Sequence, residues 1–327
     1  MYLLSFCFIK CMKLLSYLDG GRVRSAVLVE ENYIADLNNS CYMMLLEEGE
    51  DEEFAEAYCN ALVPADMLGV IKAGDKALEL IRKIIQWAKK RREILISLDE
   101  IKFKAPLQRA NMVRDFLAFR GHVEGAYKRR GQTIPEEWFK IPIYYKGNPA
   151  VFYGHKEDVP WPKYSNLMDF ELEIGAIVYK KGKDIDRKKA RDYILGYTIF
   201  NDFSARDIQT MEMNCLLGPA KGKDFANGLG PWIVTKDEIP EIKGLRVSAK
   251  VNGEVWCDTK AEDMQWSFED MISYVSQDEC VRPGDVFGSG TVSGCCGLDI
   301  GRFLEPNSIV ELYVEKIGVL INRVVKS

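Results

Sequence analysis

Apolar residues near the N-terminus follow the pattern of short strands joined by a tight turn. An apolar run at residues 14–17 leads into Asp19-Gly20-Gly21, and a second run follows at 23–29. Glycine accepts the positive φ values that such turns require. The pattern therefore predicts a β-hairpin, followed by a third strand.

After this hairpin the apolar spacing becomes helical. Acidic residues at 47–53 precede an apolar-periodic stretch at 54–62, and acids suit a helix N-terminus. A stronger helix is predicted from Asp75, because apolar residues then recur every three or four positions. The basic run at 89–92 is interpreted as the charge-complemented end of that helix, with a nucleic-acid-binding patch as the alternative.

From about residue 101 the chain consists of short β-rich runs separated by glycine and proline. Asn252-Gly253 predicts a tight hairpin, and Ser267 predicts the N-cap of a short helix. Many strands with few helices predict an α+β, mainly β fold with a β-roll or barrel-like domain. We expect a small N-terminal α/β domain at residues 1–104 and the larger β domain at 105–327.

Composition and charge exclude several classes of protein. Of the 327 residues, 47% are hydrophobic and 28% are charged, which is typical of a globular protein. A net charge of −5 argues against general nucleic-acid binding, and no apolar run reaches the roughly 20 residues that span a bilayer. The nine cysteines show no regular framework, so we expect free thiols in a reducing cytosol and a cytoplasmic location.

The first residues carry a separate expectation. Residues 1–11 are apolar, but no basic segment precedes them and no small-residue cleavage site follows. We expect Met12 to be the natural start and residues 1–11 to be an extension.

Three acidic residues alternate with apolar ones at 169–174. In a strand, Asp169, Glu171 and Glu173 would share one face and would repel one another unless a cation lay among them. A solvated strand face is the alternative. Asp202, just after an apolar strand, and Asp115, beside apolar residues, favour a binding site. Carboxylates without His or Cys ligands favour a hard cation, Mg²⁺, Mn²⁺ or Ca²⁺.

The two histidines and two glycine-containing loops add candidate chemistry. His122 lies seven residues after Asp115 and is a candidate base, whereas His155 is interpreted as a surface residue. The loop at 218–225 lacks the spacing of a Walker A phosphate loop, but its glycines would let Lys223 approach an anion closely. Either this loop or the one at 288–294 could instead be a plain turn.

Several separated motifs give the chain a resemblance to the fumarylacetoacetate hydrolase family over about residues 105–326. They are D-F-x-x-x-R-x-H at 115–122, P-x-x-Y-x-G at 142–147, D-x-E-x-E at 169–173, N-D-x-S-A-R-D-I-Q at 201–209, L-G-P-x-x-G-K-x-F at 217–225 and G-S-G-T-x-S-G at 288–294. The resemblance implies a mixed β-roll around a divalent ion, usually in a homodimer. It also implies a small β-diketo or 2-oxo acid substrate.

The resemblance also implies roles for single residues. The positions that match metal ligands are Asp115, Glu171, Glu173 and Asp202. His122 matches the residue that activates water, and Glu305 falls where a carboxylate orients that histidine. The positions that match contacts to substrate oxygens and the developing anion are Arg206, Gln209 and Lys223, and those that match contacts to the substrate carboxylate are Tyr145 and Thr291.

Pocket positions depart from the family pattern, so we expect the substrate not to be fumarylacetoacetate. Leu117 and Met213 replace tyrosines, and Asn227 replaces a threonine. The leading hypothesis is a metal-dependent hydrolase that cleaves a C–C bond in a small β-diketo or 2-oxo acid, as an acylpyruvase or fumarylacetoacetase does. The alternatives are a decarboxylase, isomerase or 2-keto-3-deoxy-acid dehydratase on the same scaffold, and a non-catalytic metal- or carbohydrate-binding β domain.

Overall fold

The computed structural model describes residues 11–326. The expectation that residues 1–11 form an extension therefore lies outside the described residues, apart from Cys11, and stays a prediction. In the described part strands outnumber helices, which confirms the α+β, mainly β class.

The strands, in chain order, are β1 (Lys13–Asp19), β2 (Arg22–Glu30), β3 (Tyr33–Asp36), β4 (Ile96–Ser97), β5 (Lys102–Lys104), β6 (Val113–Phe116), β7 (Tyr144–Gly147), β8 (Phe152–Tyr153), β9 (Asp158–Trp161), β10 (Met168–Asp169), β11 (Leu172–Val178), β12 (Ile194–Asp202), β13 (Ser204–Ala205), β14 (Asn227–Thr235), β15 (Arg246–Val251), β16 (Glu254–Lys260), β17 (Val286–Gly288), β18 (Ile309–Val314) and β19 (Gly318–Lys326). The α-helices are α1 (Leu37–Glu47), α2 (Glu52–Leu62), α3 (Met67–Ala73), α4 (Asp75–Ala88), α5 (Arg120–Arg129), α6 (Arg187–Ala190), α7 (Arg206–Asn214), α8 (Phe268–Val275) and α9 (Gly297–Ile300). Within residues 11–326 no helix combines the length and apolar character needed to cross a bilayer.

One twelve-stranded sheet runs through both halves of the chain. Its order is β4-β3-β2-β1-β14-β12-β11-β17-β6-β7, with β5 beside β1 and β8 beside β14. Because β1 pairs antiparallel with β14, the N-terminal strands extend the sheet that carries the later ones. The domain division at residue 104 stays a prediction, and the sheet is continuous across it.

Both faces of the central strands are buried. Helices α1 to α4 cover one face, while α8 and the five-stranded sheet β16-β15-β18-β19-β9 pack into the core on the other. In β12, Ile199 packs into the core on the side of α8 and the five-stranded sheet, and the next residue, Phe200, packs into the core on the side of helices α1 to α4. A strand buried on both faces reads as a continuous apolar run, which explains the sequence at 194–200.

The strongest local patterns predict the elements that the structure contains. Gly20 and Gly21 have positive φ in the first hairpin, and Asn252 and Gly253 do so between β15 and β16. Helix α4 covers the predicted apolar-periodic stretch, and Ser267 caps α8 by accepting a hydrogen bond from the backbone N–H of the third helical residue.

Among the described cysteines four form two disulfide bonds, which corrects the expectation of free thiols throughout. Cys41 of α1 bonds to Cys59 of α2, and Cys257 of β16 bonds to Cys295. The partners stand 18 and 38 residues apart in sequence, and only tertiary packing brings them together. The described cysteines that stay free are Cys11, Cys215, Cys280 and Cys296.

His155 is half-buried and packed against its neighbours, so it does not lie freely on the surface as predicted. Its ring meets Phe103 edge to face, with centroids 5.0 Å apart, and its Nδ1 accepts a hydrogen bond of 3.2 Å from the backbone N–H of Ile321. Burial, helped by the charge of Lys156, lowers the pKa of His155 to about 4. An unperturbed imidazole titrates near pH 6.5, so between about pH 4 and 6.5 the unfolded chain binds a proton at His155 that the folded chain does not.

We expect His155 to contribute stability that is complete above about pH 6.5 and is lost as the pH falls towards 4. The amount at stake is about 2–3 kcal/mol. Urea unfolding of the wild type and of His155→Gln at about pH 7.5 and 4.5 measures it. The stability difference between the two proteins should be larger at the higher pH, and a difference independent of pH would contradict the interpretation.

Candidate active site

Five adjacent strands bring the predicted acids to one place. In the order β12-β11-β17-β6-β7, Asp115 of β6 lies beside Gly288 of β17 and Tyr145 of β7. Glu173 lies in β11 and Asp202 ends β12. Oxygen atoms of Asp115, Glu173 and Asp202 all lie within 4.8 Å of one another. We call these three residues the carboxylate cluster.

Two glycines, Gly288 at the end of β17 and Gly290 just after it, make this close approach possible. A Cβ atom at Gly288 would overlap Oδ1 of Asp115 and would lie 2.8 Å from Oε2 of Glu173. The backbone N–H of Gly290 donates to both carboxylates, at 3.3 Å to Asp115 and 3.0 Å to Glu173. The loop at 288–294 therefore contacts carboxylates of the protein itself.

Two buried cations lie among the acids. The Nζ of Lys223 donates to both Glu171 and Asp202. The Nη2 of Arg206 lies 2.7 Å from Oε1 of Glu171 and 2.6 Å from Oδ2 of Asp169. The acids at 169–173 are buried, and Asp169 and Glu171 pair with these cations, so the alternative of a solvated strand face is wrong.

Burial and charge act in opposite directions on the acids. Burial, reinforced by Asp202, raises the pKa of Asp115 well above its usual range, and burial together with Asp115 does the same for Glu173. Burial would also raise the pKa of Glu171, but Arg206 and Lys223 outweigh it and lower that pKa. Burial and neighbouring acids therefore disfavour the charged forms of Asp115 and Glu173.

The carboxylate cluster fits a divalent ion. Oε1 of Glu173 is buried and lacks a hydrogen-bond partner among residues 11–326. Several carboxylate oxygens without nitrogen or sulfur donors are the ligands that Mg²⁺, Mn²⁺ or Ca²⁺ prefers. Asp115, Glu173 and Asp202 could hold the ion, and Glu171, the fourth predicted ligand, lies beside them with its oxygens on Arg206 and Lys223.

The predicted substrate contacts surround this cluster. The hydroxyl of Tyr145 donates to Oδ2 of Asp202 at 2.7 Å, and Oε1 of Gln209 accepts from Nη1 of Arg206 at 3.0 Å. Thr291 is buried in the loop that follows β17. The donors of Arg206 point to protein groups, so it holds Glu171 in place. Contacts of these residues with substrate stay predictions.

His122 belongs to a buried dyad. It lies in the first turn of α5, and its Nδ1 is 2.9 Å from Oδ2 of Asp299. Asp299 also accepts hydrogen bonds from the backbone N–H of Gly294 and from Arg129, each at 3.1 Å. Burial alone would raise the pKa of Asp299, but His122 and these donors lower it. An ionised Asp299 that accepts from Nδ1–H leaves Nε2 of His122 free to take a proton.

The dyad lies close to the acids, and hydrogen bonds hold the backbone of His122 in place. Glu171 forms an isolated β-bridge with Cys296, whose Sγ lies 3.9 Å from Nδ1 of His122, and the charge of His122 lowers the pKa of Glu171. The backbone N–H of His122 donates to Oγ of Ser293 at 3.0 Å, and the Ser293 hydroxyl donates to Asp263 at 2.7 Å. These bonds fix the start of α5 and hence the position of the imidazole.

The partner of His122 is Asp299, and the expectation for Glu305 is corrected. Glu305 is exposed in the turn before β18, where its backbone N–H donates to Oγ of Ser308 at 3.1 Å. Counting from Thr291 fails because α9 lies in the intervening segment and packs against α5. No motif marks Asp299, and only this helix contact could have identified it.

Comparisons with known protein families and proteins identify relatives of this chain. A family model described as "Fumarylacetoacetate (FAA) hydrolase C-terminal" matches residues 111–325. The oxaloacetate tautomerase YisK of Bacillus subtilis (strain 168) is 29% identical over 270 residues, which are 80% of this chain and 87% of that protein.

Solved structures show the same fold. The 5-carboxymethyl-2-hydroxymuconate delta-isomerase from Mycobacterium smegmatis has a TM-score of 0.59 and 26% identity, over 71% of this chain and 83% of that chain. The maleylpyruvate hydrolase from Sphingobium sp. SYK-6, solved with manganese(II) and pyruvate, has a TM-score of 0.69 and 19% identity, over 96% of this chain and 99% of that chain.

We expect Arg206→Leu to lower the free energy of unfolding by about 3 kcal/mol, because it leaves buried Asp169 and Glu171 short of a counter-charge. Arg187→Leu is the matched control, since Arg187 pairs with Asp270 but its side chain is 62% exposed. That variant should lose less than about 1 kcal/mol. Denaturant unfolding measures both, and equal losses would contradict a special role for the buried pair.

Proposed function

The chain belongs to the fumarylacetoacetate hydrolase family, and we propose that it is a divalent-metal-dependent enzyme that moves a proton in a small 2-oxo or β-diketo acid. The family match confirms the resemblance predicted from the motifs, and the named relatives are enzymes. The observation that carries the proposal is the buried dyad of His122 and Asp299 within electrostatic reach of the acids.

Tautomerisation is the reaction that we favour. It transfers a proton between the carbon next to a keto group and the keto oxygen, so it needs a base and stabilisation of an enolate. The relatives at 29% and 26% identity are named a tautomerase and a delta-isomerase, and both names describe proton relocation. This support moves the preference from C–C hydrolysis to the isomerase alternative.

The residues divide the work in the following way. A divalent ion held by Asp115, Glu173 and Asp202 would supply Lewis-acid chemistry towards the oxygens of the substrate. Nε2 of His122 takes the proton from the carbon, and ionised Asp299 stabilises the imidazolium that forms.

The role of Lys223 is to stabilise the negative charge that develops on the substrate oxygen. Glu171 and Asp202 fix its ammonium among the acids, so a positive charge is in place before charge develops on the substrate oxygen. His122 then returns the proton, to carbon or to oxygen, and the direction of this return decides whether keto or enol form leaves.

C–C hydrolysis, as in an acylpyruvase or fumarylacetoacetase, is the second candidate. The dyad favours it too, because His122 could take its proton from a water molecule and make that water nucleophilic. Decarboxylation would need the enolate stabilisation without the water. Mg²⁺ as the ion, a homodimeric assembly and a cytoplasmic location remain further proposals, and sedimentation velocity would test the assembly.

Product analysis in D₂O separates these reactions. Oxaloacetate and a simple acylpyruvate are incubated with the Mg²⁺- or Mn²⁺-loaded enzyme and followed by NMR and enol absorbance. Tautomerisation predicts keto–enol exchange and deuterium at the carbon next to the keto group, faster than without enzyme and without change in carbon skeleton. Appearance of pyruvate and a carboxylic acid from acylpyruvate would instead identify hydrolysis. No reaction above background with either substrate would contradict the proposal.

We expect His122→Gln to lower kcat by about 10²–10⁴-fold, because the base is removed. Asp299→Asn should lower kcat by about 10²-fold or more, since the imidazolium loses its counter-charge. Glu305→Gln is the control, because this carboxylate lies in an exposed turn and the carboxylate that contacts His122 is Asp299, so its kcat should stay within about twofold. Loss of activity in Glu305→Gln with full activity in Asp299→Asn would reverse the assignment.

Metal removal tests the carboxylate cluster. We expect exhaustive EDTA treatment to abolish turnover and added Mg²⁺ or Mn²⁺ to restore it, because the cluster supplies hard oxygen ligands. Glu173→Gln should raise the Kd for Mn²⁺ at least tenfold in calorimetry, while Glu157→Gln, which breaks a partly buried ion pair with Lys104, should not. Full activity of metal-free protein would contradict the ion's role.

A further inference from the structure

We propose that His122, Cys296 and Asp299 form a second metal site, which takes a thiophilic divalent ion such as Zn²⁺ and switches the enzyme off. The binding of the ion is independent of the proposed function, and only the inhibition rests on it. The three side chains lie outside the carboxylate cluster and carry one nitrogen, one sulfur and one oxygen donor.

The geometry brings the three donors within reach of one ion. Cys296 directly precedes α9, Asp299 lies within it, and α9 packs against the helix that carries His122. Sγ of Cys296 is 3.9 Å from Nδ1 of His122, and the three ligand atoms lie within 4.8 Å of one another. Zinc binds nitrogen at about 2.0–2.1 Å and sulfur at about 2.3 Å, so two such ligands stand roughly 3.5–4 Å apart.

The hydrogen bond between His122 and Asp299 is the contact that must change. Its 2.9 Å separation is set by the proton between Nδ1 and Oδ2, and an ion would take that proton's place and move the atoms a few tenths of an ångström apart. Arg129 and the backbone N–H of Gly294 already hold Asp299, while Ser293 holds the backbone of His122. Such outer contacts are typical of side chains that orient metal ligands.

The donor sets of the two sites select different ions. The carboxylate cluster offers oxygen alone and suits hard cations, whereas imidazole, thiolate and carboxylate together suit Zn²⁺. Cys296 is buried and free, while its neighbour Cys295 is bonded to Cys257, so the backbone beside the thiol is tethered to β16. On binding, the thiol releases its proton to solvent and the thiolate enters the coordination shell.

An ion at this site removes the base. When neutral imidazole ligates through Nδ1, its proton resides on Nε2, and that nitrogen can no longer accept a proton from substrate or water. Asp299 is withdrawn from its role as counter-charge at the same time. The carboxylate cluster keeps its own ion, so inhibition is expected to persist in excess Mg²⁺.

Cobalt is a suitable probe because Co²⁺ bound to thiolate absorbs strongly in the near ultraviolet. Co²⁺ is added to protein saturated with Mg²⁺, and we expect a thiolate band in the wild type. The band should vanish in Cys296→Ser and persist in Cys215→Ser, whose exposed thiol serves as the matched control. A missing band in the wild type, or a band lost in Cys215→Ser, would overturn the proposal.

X-ray absorption at the zinc edge tests for a thiolate ligand in the wild type without any variant. With Mg²⁺ in excess, one sulfur at about 2.3 Å is expected in the zinc coordination shell. A shell of oxygens alone would place Zn²⁺ at the carboxylate cluster and refute the second site.

Turnover measurements separate this proposal from the proposed function. In excess Mg²⁺, Cys296→Ser should raise the Zn²⁺ concentration for half-inhibition at least tenfold relative to its own uninhibited rate. A thiolate band in a protein that turns over no oxo acid would support the second metal site and contradict the proposed function. Turnover of substrate together with zinc inhibition that disappears when Mg²⁺ is raised would support the proposed function and contradict the second metal site.

Discussion

The burial of negative charge is the constraint on which the site depends. Asp115, Asp169, Glu171, Glu173 and Asp202 are each at most 5% exposed. Carboxylates removed from water must be neutralised by protons or by cations. Arg206 and Lys223 neutralise one side of this group, whereas on the other side burial, reinforced by neighbouring carboxylates, raises the pKa of Asp115 and of Glu173. This imbalance is a physical reason for a divalent ion to bind, and it arises from the protein alone.

The fold meets this constraint through strand order. The acids lie far apart in the sequence, but β12, β11, β17 and β6 are neighbours in one sheet. The lack of a side chain at Gly288 leaves room for the carboxylates of Asp115 and Glu173 on adjacent strands. The cores on both faces of the sheet hold these strands rigidly, and rigid support limits how far the charged side chains can move apart.

Local chemistry determined what could be predicted from the sequence. The glycine turns and the apolar face of α4 depend on neighbouring residues, and these features occur in the structure as expected, whereas the acids at 169–173 are divided between β10, β11 and the residues between them. The family resemblance located His122 and the acids, because the motifs contain them. The partner of His122, the two disulfides and the packing of His155 depend on which segments pack together across the chain, and no local pattern records this. Asp299 shows the limit clearly, since a short helix places it where counting along the chain suggested Glu305.

The pairing of β1 with β14 has a consequence for how this protein can be divided. If the chain were cut after residue 104, β14 would lose its β1 partner and present unpaired backbone groups along part of an open edge, a template for association with other chains. Apolar residues such as Phe200 and Leu229 would also lose the helices that cover them. The N-terminal segment thus covers an edge and a face of the later strands that would otherwise be open to association with other chains.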